Sequence, residues 1–430
     1  MPVPPTPRAG SRPRPAWRTP TVWRIALSAG FADLGYQSVL AGFPLFLVLA
    51  LHQPAWEYGL ASGLSYGGGA VFSLAGGRLG DRLGHRRVAL VGNALIPLLS
   101  LCGLVANPAW AVGLLTGGWW ARNFRSPSRR AMLVEAVPRA EERSAAFGFL
   151  HALDVGGGAL AGVAVLGAVA AGLPYRWIFL ATVVPLVAST LCLALVQDVG
   201  RQPLDPVRPA EPSTEPSREP ASRAPEEEAP EPPGARALLG AAALYGFTLY
   251  SVGFPVLAVA GPKHRVVAGL GAFLVLQGVS SATGYLLGGR LGRTPAAQFA
   301  RLGLLGYLLG GLGAGLVAAA AGARLGLGPL YLGVALIGLG LGVVETLEPT
   351  AMAVLTRTER TGRGMGALSA ARSVGTLVGN VVMGLLFAQG IDAAFAYAAA
   401  VGVLAGAVVL SAVPGLAAWE RRALRPAGPR

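Results

Sequence analysis

"GGRLGDRLGHRRVAL", Gly76 to Leu90, is a charged island in an apolar chain. The run "SGLSYGGGAVFSLA" leads into it and "LVGNALIPLLSLCGLV" continues it. The island itself holds four arginines, one aspartate and four glycines. Short basic links between apolar segments are what a multi-pass membrane protein keeps on the cytoplasmic side. The rest of the chain agrees with that reading. Of its 430 residues 53% are hydrophobic and only 13% are charged, against about 25% charged in a soluble domain. Runs of about 20 apolar residues, the length that crosses a bilayer, follow one another along the chain.

The net charge of +14 does not point to nucleic acid. The arginines sit in short links and in the two tails, and no basic patch is interleaved with exposed aromatics as such binding requires. Cys102 and Cys192 fall inside apolar runs and read as small hydrophobes. His52, His85, His151 and His264 are scattered without metal-ligand spacing, so no metal is expected. Lys263 is the only lysine, which removes a phosphate-binding G-x-x-x-x-G-K-[ST] loop, and "GLGLG" at Gly338 lacks the strand–turn–helix setting of a dinucleotide site. No cofactor and no enzymatic constellation of nucleophile and base emerge.

Hydropathy places spans at roughly 22–51, 57–77, 88–107, 110–136, 145–172 and 177–197, then 236–261, 267–289, 298–322, 329–356, 364–389 and 392–417. The segment between the sets is rich in Pro, Glu, Ser and Arg, a composition that does not order itself. The expected layout is a disordered tail at 1–21, a six-helix bundle at 22–197, a disordered linker at 198–235, a second six-helix bundle at 236–417 and a tail at 418–430. The arginine-rich links put the linker and both termini in the cytoplasm. The proline- and arginine-rich start has no apolar core and is not a cleaved signal. The halves echo each other: Gly76-Gly77-Arg78-Leu79-Gly80 recurs as Gly288-Gly289-Arg290-Leu291-Gly292, and "RSAAFGFLHALD" is weakly matched by "TGRGMGALSAAR". Such duplication is a plan of secondary transporters, whose site lies between the repeats near the bilayer midplane.

The stretch Gly77-Arg78-Leu79-Gly80-Asp81-Arg82-Leu83-Gly84-His85-Arg86-Arg87 resembles the loop motif of the major facilitator superfamily, G-x-L-x-D-R-x-G-R-[RK]-[RK], at the place that family has it, between spans two and three. "PYRWIFLATVVPLV" and "RNFRSPSRRAMLVEAVP" are similar to stretches of bacterial members. The resemblance implies an all-α integral membrane protein of twelve transmembrane helices in two pseudo-symmetric six-helix bundles. It also implies a gate formed by Gly77, Asp81, Arg82, Gly84, Arg86 and Arg87. Asp81 would be the latch, closing against the start of span eleven and against Arg129 or Arg130. Arg293 stands where the second copy should carry its aspartate, so no equivalent latch is expected there.

Ionisable groups within a bilayer mark a pathway or a buried pair. Asp33 and Gln37 lie one turn apart in span one; Arg122, Arg125 and Arg129 share a face of span four; His151 and Asp154 share one in span five. Glu345 and Glu348 lie in span ten and Arg372 in span eleven. Asp33 and Glu345 are the proton-carrier candidates, since desolvation favours the neutral form of a carboxylic acid. Arg122 and Arg125 suit an anionic substrate group or hold those carboxylates ionised. Asp154 and Arg372 occupy corresponding places in the halves, which favours helix-to-helix pairing, and Tyr250, with Tyr245 and Phe254, offers aromatic contact from span seven. Span five has the glycines but not the Gly-Pro pair usual in drug–proton antiporters of the superfamily.

The expectation is a monomeric secondary transporter in a bacterial cytoplasmic membrane, in contact with lipid, exporting a small molecule in exchange for protons. Transport of an anionic metabolite is the alternative. A non-transporting receptor is disfavoured because no folded output domain is visible.

Overall fold

A computed structural model describes residues 18–137, 140–196, 234–248, 252–261, 265–287, 294–355 and 361–423. The first tail, the linker and the second-copy motif at 288–293 fall largely or wholly outside these residues. Every element among the described residues is helical.

In the first half the elements are α1 (Pro20–Leu45), α2 (Ala55–Leu83), α3 (His85–Leu95), α4 (Pro108–Ala136), α5 (Ala140–Ala170), α6 (Tyr175–Ala181) and α7 (Val183–Ala194). The second half has α8 (Ala235–Thr248), α9 (Gly253–Ala260), α10 (Val266–Leu287), α11 (Pro295–Arg301), α12 (Leu309–Gly322), α13 (Leu327–Leu355), α14 (Thr361–Gln389) and α15 (Ile391–Ala423). Starts are set locally: Thr19, Asn107 and Thr294 each accept a backbone N–H of the first turn, each followed by a proline whose missing donor costs nothing there. Prolines inside a run disturb its register instead. Pro44 precedes a π-helical end to the first span at Phe46–Ala50, and Pro97 sits in the 3₁₀ stretch Ile96–Leu104.

Nine segments among the described residues are long and apolar enough to cross a membrane. The segments that fall short of that measure are explained by their residues. Glycines and polar groups dilute α2, arginines dilute α4, and α8 and α9 are described as pieces of 14 and 8 residues. Taken with these, the described helices are consistent with the twelve expected spans.

Two boundaries differ from expectation. The basic link read as 78–87 is almost entirely helix: α2 runs to Leu83 and α3 begins at His85. The turn is Gly84 alone, whose φ of 93° and ψ of 132° no side chain tolerates well, and whose N–H closes onto Gly80 O at 3.0 Å. At the other extreme α15 continues past 417, because Glu420 accepts the backbone N–H of Ala296 at 2.7 Å and so caps α11.

Buried apolar side chains form three clusters. One runs through both halves at the end of the bundle away from Gly84, joining residues such as Phe43, Leu47 and Tyr58 to Phe254, Leu257 and Phe273. The other two lie at the Gly84 end and keep to one half each, around Ile25, Leu133 and Leu150, and around Phe299, Leu347 and Leu416. The halves therefore share a core at the far end and hold separate cores at the Gly84 end. Glycines allow the closest approaches. A Cβ at Gly59 would strike Asn380 O and Gly384 of α14, and one at Gly76 would strike the carbonyl of Phe124 in α4.

Candidate functional site

The charged residues of the first half are built around α4. Asp33, only 7% exposed in the middle of α1, accepts a hydrogen bond from the Tyr36 hydroxyl one turn along the same helix. Tyr36 stands edge-on to Trp119 with centroids 5.6 Å apart. The Arg122 guanidinium lies over both rings, 5.4 Å from the Tyr36 centroid and 5.0 Å from that of Trp119. It donates to the Tyr36 hydroxyl at 3.5 Å, a long contact. A cation over aromatic faces is attracted by their quadrupoles, and more so away from water. Gln37 is half-buried beside Gly158 of α5.

One turn on, Arg125 is fully buried and donates to Asn93 Oδ1 at 2.9 Å. Asn93 in turn donates to Thr190 at 2.8 Å, and Ser189 donates to the Ser28 carbonyl at 2.6 Å. This chain of polar contacts ties α4 to α3, α7 and α1. Arg129 pairs with Asp154 of α5 at 3.4 Å. Three arginines thus stand against two carboxylates. Among the described residues, Nε of Arg122, Nε and Nη2 of Arg125, and Nε and Nη1 of Arg129 have no hydrogen-bond partner.

The second half uses the same places with the charges exchanged. Arg372 of α14 donates to Glu345 at 2.8 Å and to Glu348, both on α13, while the Tyr307 hydroxyl donates to Glu348. Tyr245 packs on Tyr307 with centroids 5.0 Å apart. Burial separates the two glutamates sharply: the Glu348 side chain is 0% exposed and that of Glu345 is 51% exposed. Glu345, expected with Asp33 to be a desolvated proton carrier, is half exposed; the buried carboxylate is Glu348, three residues on. Asp154 and Arg372, expected to make helix-to-helix pairs, each do so within their own half.

The Gly77–Arg87 segment is organised by its charges. His85 Nε2 lies 3.7 Å from Asp81 and 3.7 Å from Glu135 of α4. Arg86 donates to the carbonyls of Val196 at 2.8 Å and Ala194 at 2.7 Å, and Arg24 donates to Leu195 at 2.7 Å. Two guanidinium groups thereby satisfy the orphan carbonyls at the end of α7, where the helix dipole also favours them. Gly77 is half-buried against Pro127, while Arg82, Arg87 and Arg130 are exposed. Arg129, expected beside Asp81, is instead given to Asp154. The side chains at the start of α14, the other expected partner, lie outside the described residues, as do Tyr250 and the side chain of His151.

Tyr36, Trp119, Asn93 and Tyr307 were not singled out from the sequence. Tyr36 carried a signal, being three residues from Asp33; the others become visible only when their helices meet. Among the described residues no group of three His, Cys, Asp or Glu side chains converges as a metal site would.

No curated protein sequence matches the chain. Its structure is similar to that of a bacterial homologue of the human lysosomal transporter Spinster in an inward-facing, unoccupied conformation, with a TM-score of 0.68, 15% identity, and coverage of 95% of this chain and 99% of that one. It is also similar to a POT family transporter in complex with a thioalcohol-conjugated peptide (TM-score 0.69, 12% identity, 92% and 96% covered). A nucleoside transporter is similar in the same way (TM-score 0.65, 12% identity, 93% and 99% covered). At such identities the likeness is one of fold. The sequence profile of the Major Facilitator Superfamily matches residues 25–346, well over half of the chain. With this profile, the helical architecture and a motif turning at Gly84, the chain is a multi-pass membrane transporter, not an enzyme, and belongs to the major facilitator superfamily.

Proposed function

We propose that the chain exports a small molecule across a bacterial cytoplasmic membrane by alternating access, in exchange for protons, with the Gly84 turn and both termini in the cytoplasm. The observation that carries this reading is Asp33: a buried carboxylate in mid-span, hydrogen-bonded by Tyr36 and reached through it by Arg122. A carboxylate in such a place has two stable conditions, ionised against arginine or protonated and neutral. A cationic substrate competes with the proton for it. Arg372 with Glu345 and Glu348 forms the second polar station. The contacts of His85 and Arg86 hold the ends of α2, α4 and α7 together as one gate element. In inside-out vesicles, an imposed pH gradient should drive accumulation of a lipophilic cation such as tetraphenylphosphonium, and Asp33→Asn should abolish it. Accumulation unchanged in that variant would remove Asp33 from the coupling.

The excess of arginine in the first half favours a second reading, transport of an anionic metabolite. Among the described residues, Arg122, Arg125 and Arg129 stand against Asp33 and Asp154, with guanidinium donors left over. Thermal stabilisation of the purified protein by small carboxylates or phosphates, lost on Arg122→Ala, would favour it over cation export.

A further inference from the structure

A cavity of about 930 Å³ lies at the end of the bundle away from Gly84 and takes no part in the site above. Val48 and Leu49, from the π-helical end of the first span, form one wall; the remaining lining comes from the second half, including Leu257 and Phe387. Val48 is fifteen residues along the helix from Asp33, roughly 22 Å at 1.5 Å per residue. The size is that of pockets for drug-sized ligands, which run to roughly 1,000 Å³.

Its walls are apolar except for Arg265, Arg324 and Asp392. None of these three is ion-paired among the described residues. Arg265 Nε is buried without a hydrogen-bond partner. Arg324 follows the last turn of α12 with a φ of +55°, a left-handed conformation that glycine adopts freely and arginine only at a cost. That conformation closes the end of α12, with Leu325 N–H donating to Ala320 O at 2.9 Å, and the arginine side chain lines the pocket beside it. Arg324 and Asp392 are exposed at the mouth of the pocket and Arg265 is half-buried, so two guanidinium groups against one carboxylate leave it with an excess positive charge.

We infer that this cavity is a binding site for an amphiphile with an anionic head group and an apolar body. The head group is held by Arg265 and Arg324, and the body lies on Leu49, Leu257 and Phe387. Because the walls come from both halves, the ligand grips the seam in the state closed at this end. Opening the seam separates the walls and loses the site, so binding stabilises closure by the differential affinity between the two states.

The test is binding of decanoate to the full-length protein in nanodiscs of zwitterionic lipid, with empty nanodiscs as the baseline and decyltrimethylammonium and decanol as matched controls. Decanoate should saturate a single site. Arg265→Gln and Arg324→Gly should each weaken it about tenfold, the loss of one charge-assisted hydrogen bond, while Asp392→Asn should strengthen it. Arg324→Gly also guards against misfolding: its melting temperature should equal or exceed that of the wild type, since glycine relieves the left-handed backbone. Adding acidic lipid to the nanodiscs tells the source of the head group: displacement of decanoate assigns the site to a bilayer lipid, and no displacement assigns it to a water-soluble amphiphile. Wild-type affinity in both arginine variants, or equal binding of decyltrimethylammonium, would overturn the proposal. None of these readings requires a transport substrate, so their failure is separate from any failure of proton-coupled export.

Discussion

Glu345 and Glu348 share Arg372 but differ in what surrounds them, and the difference sets their energetic roles. Removing one member of a buried ion pair leaves an uncompensated charge at a cost of about 3–5 kcal/mol; an exposed pair is worth about 0–1 kcal/mol. Glu348→Ala should therefore destabilise the protein by the larger amount and Glu345→Ala by the smaller, as measured by thermal unfolding in detergent. Equal losses would contradict the burial seen here. Tyr307→Phe should cost about 1.5–3 kcal/mol, the worth of a hydrogen bond to a charged group. The spacing of these residues was readable in the sequence; which of two glutamates on one helix is desolvated was not, because that depends on Tyr307 arriving from another helix.

At the scale of elements, α2 makes two kinds of close contact. Against α4, Gly76 lies on the Phe124 carbonyl within one half; against α14, Gly59 and Gly63 meet Asn380, Gly384 and Leu377 across the seam. Gly76→Ala should lower stability by about 1–3 kcal/mol through overpacking without changing the distance between halves. Gly59→Leu should wedge the seam and shift spin-label distances toward a state open at that end. A population unchanged by Gly59→Leu would mean that this contact does not gate. The motif at Gly77–Arg87 reads in the sequence as a loop between two spans, yet is almost entirely helix. Its charged residues continue α2 and open α3, since Gly84 alone makes the turn. Glycines in α2 and arginines in α4 lower the mean hydropathy of these two helices without shortening them, and Gly76 and Arg125 among them are buried against neighbouring helices.

For the molecule as a whole, one apolar core bridges the halves at one end and two separate cores stand at the other. Tyr58 and Phe254 meet across this bridge with ring centroids 5.2 Å apart. A double-mutant cycle on Tyr58→Ala and Phe254→Ala should return a coupling of about 0.5–1.5 kcal/mol, the range for an aromatic pair. That coupling should vanish under conditions that open this end. The helical, membrane-spanning class followed from composition and local pattern, because a bilayer imposes apolar length on each helix separately. The partners of the buried charges, the end at which the halves meet and the cavity lined by Arg265 and Arg324 depend on which faces of distant helices come together. That is a property of packing between segments as far apart as Asp33 and Arg122, or Glu348 and Arg372, and no local pattern encodes it.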